Sequence, residues 1–356
     1  MIDKSRSQAD SELVHGALDH AELAALGITP SEVLDFSANT NPFGPAPGVR
    51  QALEAVPLDR YPDRESLALR QALAAQLGVP VEQVLAGNGS SELIWLAALA
   101  FLQPGDDVLV LEPTYGEYAR AAALAGARTH AVSASPGRWF EWPTDVVEAA
   151  LDRLAPRLAF ICRPNNPTGT VLPLAHLSAW ADGHRETLFV VDEAYLDFSG
   201  EKSALTLGAD NLLVLRSLTK AHALAGLRLG FAIGTRERIE ALRRVRPPWS
   251  VNALAQAAGV AALADTGHLI GSLHALARAK RQLVEDLAVA GFAPLDSATS
   301  FFLLEVGDAA HVRDALLRRH LLVRDCTSFG LPTYVRISAR QPEHNARLLA
   351  ALHEVA

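Results

Sequence analysis

Cysteine is scarce in this sequence: Cys162 and Cys326 are the only two in 356 residues. Two are too few for a disulfide framework or a structural zinc site, and the scarcity fits a reducing, cytosolic setting. Positive charge is in deficit, with 32 Lys and Arg against 40 Asp and Glu and a net charge of -8. That balance argues against a nucleic-acid or membrane-surface binder and for a small partner. The one dense basic run, Arg243, Arg244 and Arg246, reads as the solvated end of a helix. No segment is long and apolar enough to span a bilayer, and residues 1–10 lack the apolar run that a signal peptide requires. Internal repeats and low-complexity tracts are missing too. What remains is a chain of 49% hydrophobic content, expected to be soluble and to bury a large core.

The pattern along the chain changes four times. Residues 34–47 carry Asn39, Asn41, Pro42, Gly44, Pro45 and Pro47, which predicts an ordered loop. Helical spacing follows over 67–77 and stops at Gly78. Short apolar runs at 84–85, 108–111, 158–161, 188–191, 212–215 and 229–233 then alternate with helix-patterned stretches such as 93–101 and 115–124. This is the signature of an α/β fold with a mostly parallel central sheet wrapped by helices. An Ala-rich helical pattern runs over 253–290. Strand 301–305, helix 309–320, strand 334–338 and a terminal helix to Val355 complete a smaller α+β domain.

Four polar clusters fall at or just beyond strand ends, where open α/β sheets place their ligand sites. Gly87-Asn88-Gly89-Ser90-Ser91-Glu92 offers tight turning and the free amides of a helix N-terminus to a phosphate, although such loops also merely connect elements. In Arg163-Pro164-Asn165-Asn166-Pro167-Thr168-Gly169 a turn explains the proline and glycine but not two adjacent asparagines, whose amides suit a phenolate-like oxygen. The apolar strand 188–191 ends abruptly in Asp192-Glu193-Ala194-Tyr195: a solvated strand end, or a buried carboxylate facing a pyridinium nitrogen. Arg216-Ser217-Leu218-Thr219-Lys220 precedes Gly226-Leu227-Arg228-Leu229-Gly230, and a lysine crowded by cations and desolvated becomes a neutral amine able to attack a carbonyl.

The ordered series Asn41-Pro42-x-Gly44, Arg60-Tyr61-Pro62-Asp63, Gly89-Ser90-Ser91-Glu92, Pro113-Thr114-Tyr115, Asn165 to Gly169, Asp192 to Tyr195, Ser217-x-Thr219-Lys220 and Gly226-Leu227-Arg228-x-Gly230 resembles the histidinol-phosphate aminotransferase branch of fold-type-I pyridoxal phosphate enzymes. The resemblance implies the aspartate aminotransferase-like fold. It divides the chain into an N-terminal segment (1–40) contributing to the small domain and a substrate lid, a large cofactor domain (41–250) and a small C-terminal domain (251–356). It also implies pyridoxal 5'-phosphate as cofactor. Lys220 would hold it covalently, Asp192 would pair with its ring nitrogen, and Asn166 and Tyr195 would bond its hydroxyl, with Lys220, Asp192 and Tyr195 the catalytic set. Tyr115 would stack on the ring. Gly89, Ser90, Ser91, Ser217, Thr219 and Arg228 would take the phosphate, joined by Tyr61 from a neighbouring subunit, so that a homodimer with shared active sites is implied.

Within that branch, His15-Gly16, the run from Asp35 to Pro42, the run from Pro248 to Leu254 and the pair Arg324 and Arg336 are similar to threonine-phosphate decarboxylases of cobalamin biosynthesis. This likeness implies a carboxy-lyase that converts O-phospho-L-threonine to aminopropanol phosphate. His15, Gly16, Asn39, Asn166, Arg324 and Arg336 would then grip the substrate's carboxylate and phosphate. A histidinol-phosphate aminotransferase, which shares every cofactor residue, is the alternative. A silent ligand-binding relative of the fold is the non-enzymatic one, and the intact Asp192 and Lys220 argue against it.

Overall fold

The structure is a computed structural model describing residues 16–355. At its centre lies a seven-stranded sheet, ordered Val84–Gly87, Gly230–Ile233, Leu212–Ser217, Leu188–Asp192, Leu158–Cys162, Asp107–Glu112, Arg128–Ser133. All neighbours run parallel except Gly230–Ile233, which is antiparallel to both strands beside it. The inner strands are apolar along their middle residues because helices cover both faces. Phe189 and Val191 point into one core with Val84, Val214 and Leu177, while Leu188 and Val190 point into the other with Leu85, Leu93 and Tyr118. Register places Cys162 beside Asp192, and Gly230 beside both Ser217 and Gly87. One edge of the sheet therefore collects the ends of five strands.

The edge strand Arg128–Ser133 lacks the double apolar face, with only Val132 buried along it, so it carries no apolar run. Arg128 and His130 instead meet Asp107 on the neighbouring strand at 2.9 and 2.7 Å. The expected helix 253–290 is two helices, Ala253–Ala264 and Thr266–Val289, broken at Asp265, whose carboxylate accepts the His268 N–H at 2.9 Å. The first of them packs on Gly48–Glu54 and Leu67–Leu77, placing Ala255, Ala258 and Ala262 in the same core as the central sheet. The expected helix 309–320 ends at Leu317. Arg246 is not a solvated helix end: its side chain is 4% exposed. It donates to the carbonyls of Ala86 (3.1 Å) and Arg64 (3.0 Å), clamping the glycine-serine turn to the 60s loop.

A second, smaller layer pairs Arg324–Asp325, Tyr334–Ser338 and Phe301–Glu305 in an antiparallel sheet, while Leu34–Asp35 runs parallel to Leu321–Leu322. Phe36, Leu276, Leu283, Phe302, Ile337 and Leu348 are among the residues of its separate core. Arg324 and Arg336 are directly paired across their strands. No helix among the described residues is long and apolar enough to cross a membrane.

Candidate active site

Between the sheet's collecting edge and the small layer lies a cleft of about 550 Å³, lined by residues of both. Lys220 enters it three residues beyond Leu212–Ser217. The lysine's own carbonyl accepts the Asn41 N–H at 2.9 Å, and Asn41 Nδ2 donates to the Ala221 carbonyl at 3.0 Å. The Asn41-Pro42 loop thus anchors the lysine segment. Burial, seconded by the Arg336 and Arg228 guanidinia and opposed by Asp192, brings the Lys220 ammonium down to about 8. Its Nζ stands 5.9 Å from the centre of the Tyr195 ring.

Asp192 is buried at the end of its strand. Its Oδ1 accepts the Ala194 N–H at 3.0 Å and its Oδ2 accepts the Tyr118 hydroxyl at 2.9 Å. Burial raises its pKa, and those hydrogen bonds with the Lys220 charge work against the rise. Tyr118 was not legible as a site residue, because it falls in an apolar helical pattern and reads as core.

The glycine-serine turn opens the helix Gly89–Phe101. Gly89 has φ +78°, and a Cβ there would stand 2.7 Å from Arg228 Nη2; a Cβ on Gly230 would stand 2.6 Å from Ser90 N. The two glycines let three chain segments close into an anion cradle of helix amides, Ser90, Ser91 and Arg228. Ser217 and Thr219, both buried, share a hydroxyl hydrogen bond of 2.7 Å at its side. Tyr115 lines the cleft and meets Ser91 Oγ at 3.3 Å; burial pushes its phenol's pKa up.

The two adjacent asparagines have different surroundings. Asn165 is committed to the scaffold, accepting from Thr114 Oγ1 at 2.8 Å and donating to the Pro113 carbonyl at 2.9 Å. Asn166 lines the cleft, and its carbonyl accepts from Arg336 Nη1. Glu193 turns into the scaffold, where it accepts from Ser203 and Ala204. Arg336 is 4% exposed, donates to the Ser37 carbonyl at 2.6 Å, lies over Phe301, and keeps a buried Nε without a partner. Arg324 donates to Ser328 Oγ at 2.6 Å, and burial followed by the neighbouring Arg336 charge lowers it to about 10. Two buried cations side by side invite an anion between them. Asn39 donates to the Tyr195 hydroxyl at 3.3 Å, while its Oδ1 stays buried without a partner. Burial pushes the Tyr195 phenol up. A Cβ on Gly16 would stand 2.6 Å from the Ser37 carbonyl and 3.1 Å from Arg336 Nη2, so this glycine closes over the arginine. His15 lies outside the described residues. Tyr61 is not brought into its own chain's cleft: it is 81% exposed and stacks on Trp249 at 4.7 Å.

These residues fit pyridoxal phosphate. A phosphate matches the cradle, a ring nitrogen matches buried Asp192, and an aldehyde matches the low-pKa amine of Lys220.

The family model for aminotransferase class I and II matches residues 31–352. The chain is 37% identical over 338 residues to histidinol-phosphate aminotransferase 1 of Cupriavidus pinatubonensis, covering 92% of this chain and 89% of that one. The crystal structure of histidinol-phosphate aminotransferase from Sinorhizobium meliloti in complex with pyridoxal-5'-phosphate superposes with a TM-score of 0.87 at 26% identity, over 100% of this chain and 98% of that one. L-threonine-O-3-phosphate decarboxylase from Porphyromonas gingivalis gives a TM-score of 0.79 at 27% identity, over 90% and 98%. The fold is thus the aspartate aminotransferase-like fold type I.

The decarboxylase expectation is overturned by the curated relatives at 37–38% identity, which are histidinol-phosphate aminotransferases. The segment from Pro248 to Leu254 that suggested a decarboxylase serves the scaffold instead. Val251 is core, Asn252 caps the helix Ala253–Ala264 by accepting the Ala255 N–H at 2.8 Å, and Trp249 faces out against Tyr61. The arginine pair does not discriminate either, since an aminotransferase also binds an acidic partner in its second half-reaction.

Proposed function

We propose that this chain, which belongs to the class I and II aminotransferases, uses pyridoxal 5'-phosphate to move the amino group of a small phosphorylated amine, histidinol phosphate, onto a dicarboxylic keto acid. One observation carries the reading: the low-pKa Lys220 and buried Asp192 share a single cleft with the paired cations Arg324 and Arg336. The cofactor, when bound, supplies an aldehyde and an electron-withdrawing ring that acidifies the hydrogen on the substrate's Cα.

Every other part is protein. Gly89, Ser90, Ser91, Ser217, Thr219 and Arg228 hold the cofactor's phosphate. Asp192 would pair with the ring nitrogen and favour its protonated form, Asn166 and Tyr195 would bond the ring hydroxyl, and Tyr115 would stack on the ring. Lys220 Nζ, neutral above about pH 8, would take the proton from the substrate's Cα. Arg336 and Arg324, with Asn39, Asn166 and Gly16 around them, hold the substrate's phosphate in one half-reaction and a carboxylate of the keto acid in the other. Incubation with histidinol phosphate and 2-oxoglutarate is expected to yield glutamate in step with loss of the amine. Carbon dioxide from O-phospho-L-threonine, with no glutamate formed from histidinol phosphate, overturns the proposal.

The active unit is a homodimer in which Tyr61 completes the partner's phosphate cradle. Its support is the placement of Tyr61, held outward on Trp249 with Leu58 exposed nearby in sequence. Tyr61→Phe is expected to weaken cofactor affinity about ten-fold, the value of one hydrogen bond to a charged group. A monomer in light scattering with full activity contradicts the shared site.

A further inference from the structure

Asp192 is held from two sides, and one of the two holders has no assigned role. Tyr118 sits on the helix Glu117–Leu124 with no exposed surface. Its ring lies flat on Phe160 at 5.3 Å and takes the edge of Tyr115 at 5.7 Å, so it has no room to swing. From that fixed position its hydroxyl reaches Asp192 Oδ2 at 2.9 Å, while the Ala194 amide reaches Oδ1 at 3.0 Å. Donors on separate oxygens fix the plane of a carboxylate, and each oxygen keeps a second lone pair for another partner. The phenol is a permanent donor, because burial and the neighbouring Asp192 charge push its own pKa well up.

We propose that Tyr118 is a positioning residue: its hydroxyl orients the Asp192 carboxylate toward the cofactor's ring nitrogen and donates to its ionised form. The inference rests on the pyridoxal phosphate reading above. The groups facing Asp192 are Tyr118 and Tyr115 from their helix and its approach, Cys162 from the adjacent strand, Lys220 from beyond the next, and Tyr195 from its own segment. Of these, Tyr118 and the Lys220 charge favour the ionised form. Cys162 does not compete as an anion, because burial pushes its thiol up to about 12. Once Lys220 has given up its charge, Tyr118 and the Ala194 amide remain to keep Asp192 ionised.

The test compares wild type and Tyr118→Phe in binding pyridoxal phosphate and its carba analogue, in which C–H replaces the ring nitrogen, by fluorescence quenching at pH 6, 7 and 8. Thermal unfolding of both cofactor-free chains checks the fold. Loss of one charge-assisted hydrogen bond is expected to weaken pyridoxal phosphate binding roughly ten-fold at pH 7. Without the phenol Asp192 takes up its proton at higher pH, so the loss grows as pH falls. The analogue, with no ring nitrogen to meet, binds both proteins alike. In an Asp192→Asn background, Tyr118→Phe adds almost nothing. Equal weakening for both ligands, a loss independent of pH, full additivity with Asp192→Asn, or a Tyr118→Phe chain that does not fold each makes the hydroxyl a packing element and overturns the proposal. Failure of wild type to bind pyridoxal phosphate overturns the functional reading itself, and the wild-type titration reports that separately.

Discussion

Lys220 is placed where an ammonium is unwelcome. The unfolded chain holds its proton up to the ordinary value of 10.5, whereas the folded chain releases it at about 8. Between those values the unfolded state binds more protons, so Lys220 makes stability rise with pH through that window, and below it the folded state bears the whole penalty. Lys220→Met in the cofactor-free protein is therefore expected to be more stable than wild type at pH 7, by about 2 kcal/mol after allowance for partial access of water. The gain should shrink as pH approaches 10. Lys280, lowered to about 8 mainly by burial, titrates in the same window, but it is common to both proteins and cancels in the difference. Denaturant unfolding at pH 7 and pH 10 measures the effect. A variant less stable than wild type at pH 7, or a gain that does not change with pH, contradicts the assignment of a desolvated amine. Arg324 and Arg336 lie side by side, and the Arg336 charge adds to burial in lowering the Arg324 guanidinium, a repulsion that a bound anion would offset.

At the scale of elements, legibility followed burial. Strands covered on both faces announce themselves as unbroken apolar runs, and Phe301–Glu305 and Tyr334–Ser338 lie where the pattern put them. The edge strand Arg128–Ser133 does not, because its stability comes from backbone pairing and from Asp107 rather than from apolar side chains. The break at Asp265 leaves no mark in the pattern for a related reason: the Ala-rich sequence before it is apolar, and a single capping carboxylate interrupts the helix without altering the periodicity. Within the site, residues on turns after strands could be read, since polar groups there have no business in an apolar run. Tyr118 could not, because an aromatic residue on a buried helix face looks the same whether its hydroxyl meets a carboxylate or a backbone carbonyl. Resemblance in the segment from Pro248 to Leu254 misled for a physical reason as well. Its residues hold a helix start and a core position, tasks that enzymes of different chemistry share.

Across the whole molecule the two layers divide the work. The seven-stranded sheet carries Lys220, Asp192 and the anion cradle on one edge, and the small layer carries Arg324 and Arg336 to the opposite wall of the cleft. Segments that close the cleft come from afar in sequence, since Ser37 accepts from Arg336 and Asn39 donates to Tyr195. Groups on both walls would orient the Cα hydrogen of a bound substrate toward Lys220. The proposed chemistry depends on that lysine being the one that holds the cofactor. Purified protein incubated with pyridoxal phosphate, reduced with borohydride and digested for mass spectrometry gives the direct answer. A single modified peptide carrying the reduced cofactor on Lys220 is expected; the label on Lys280, on another lysine, or on none contradicts it.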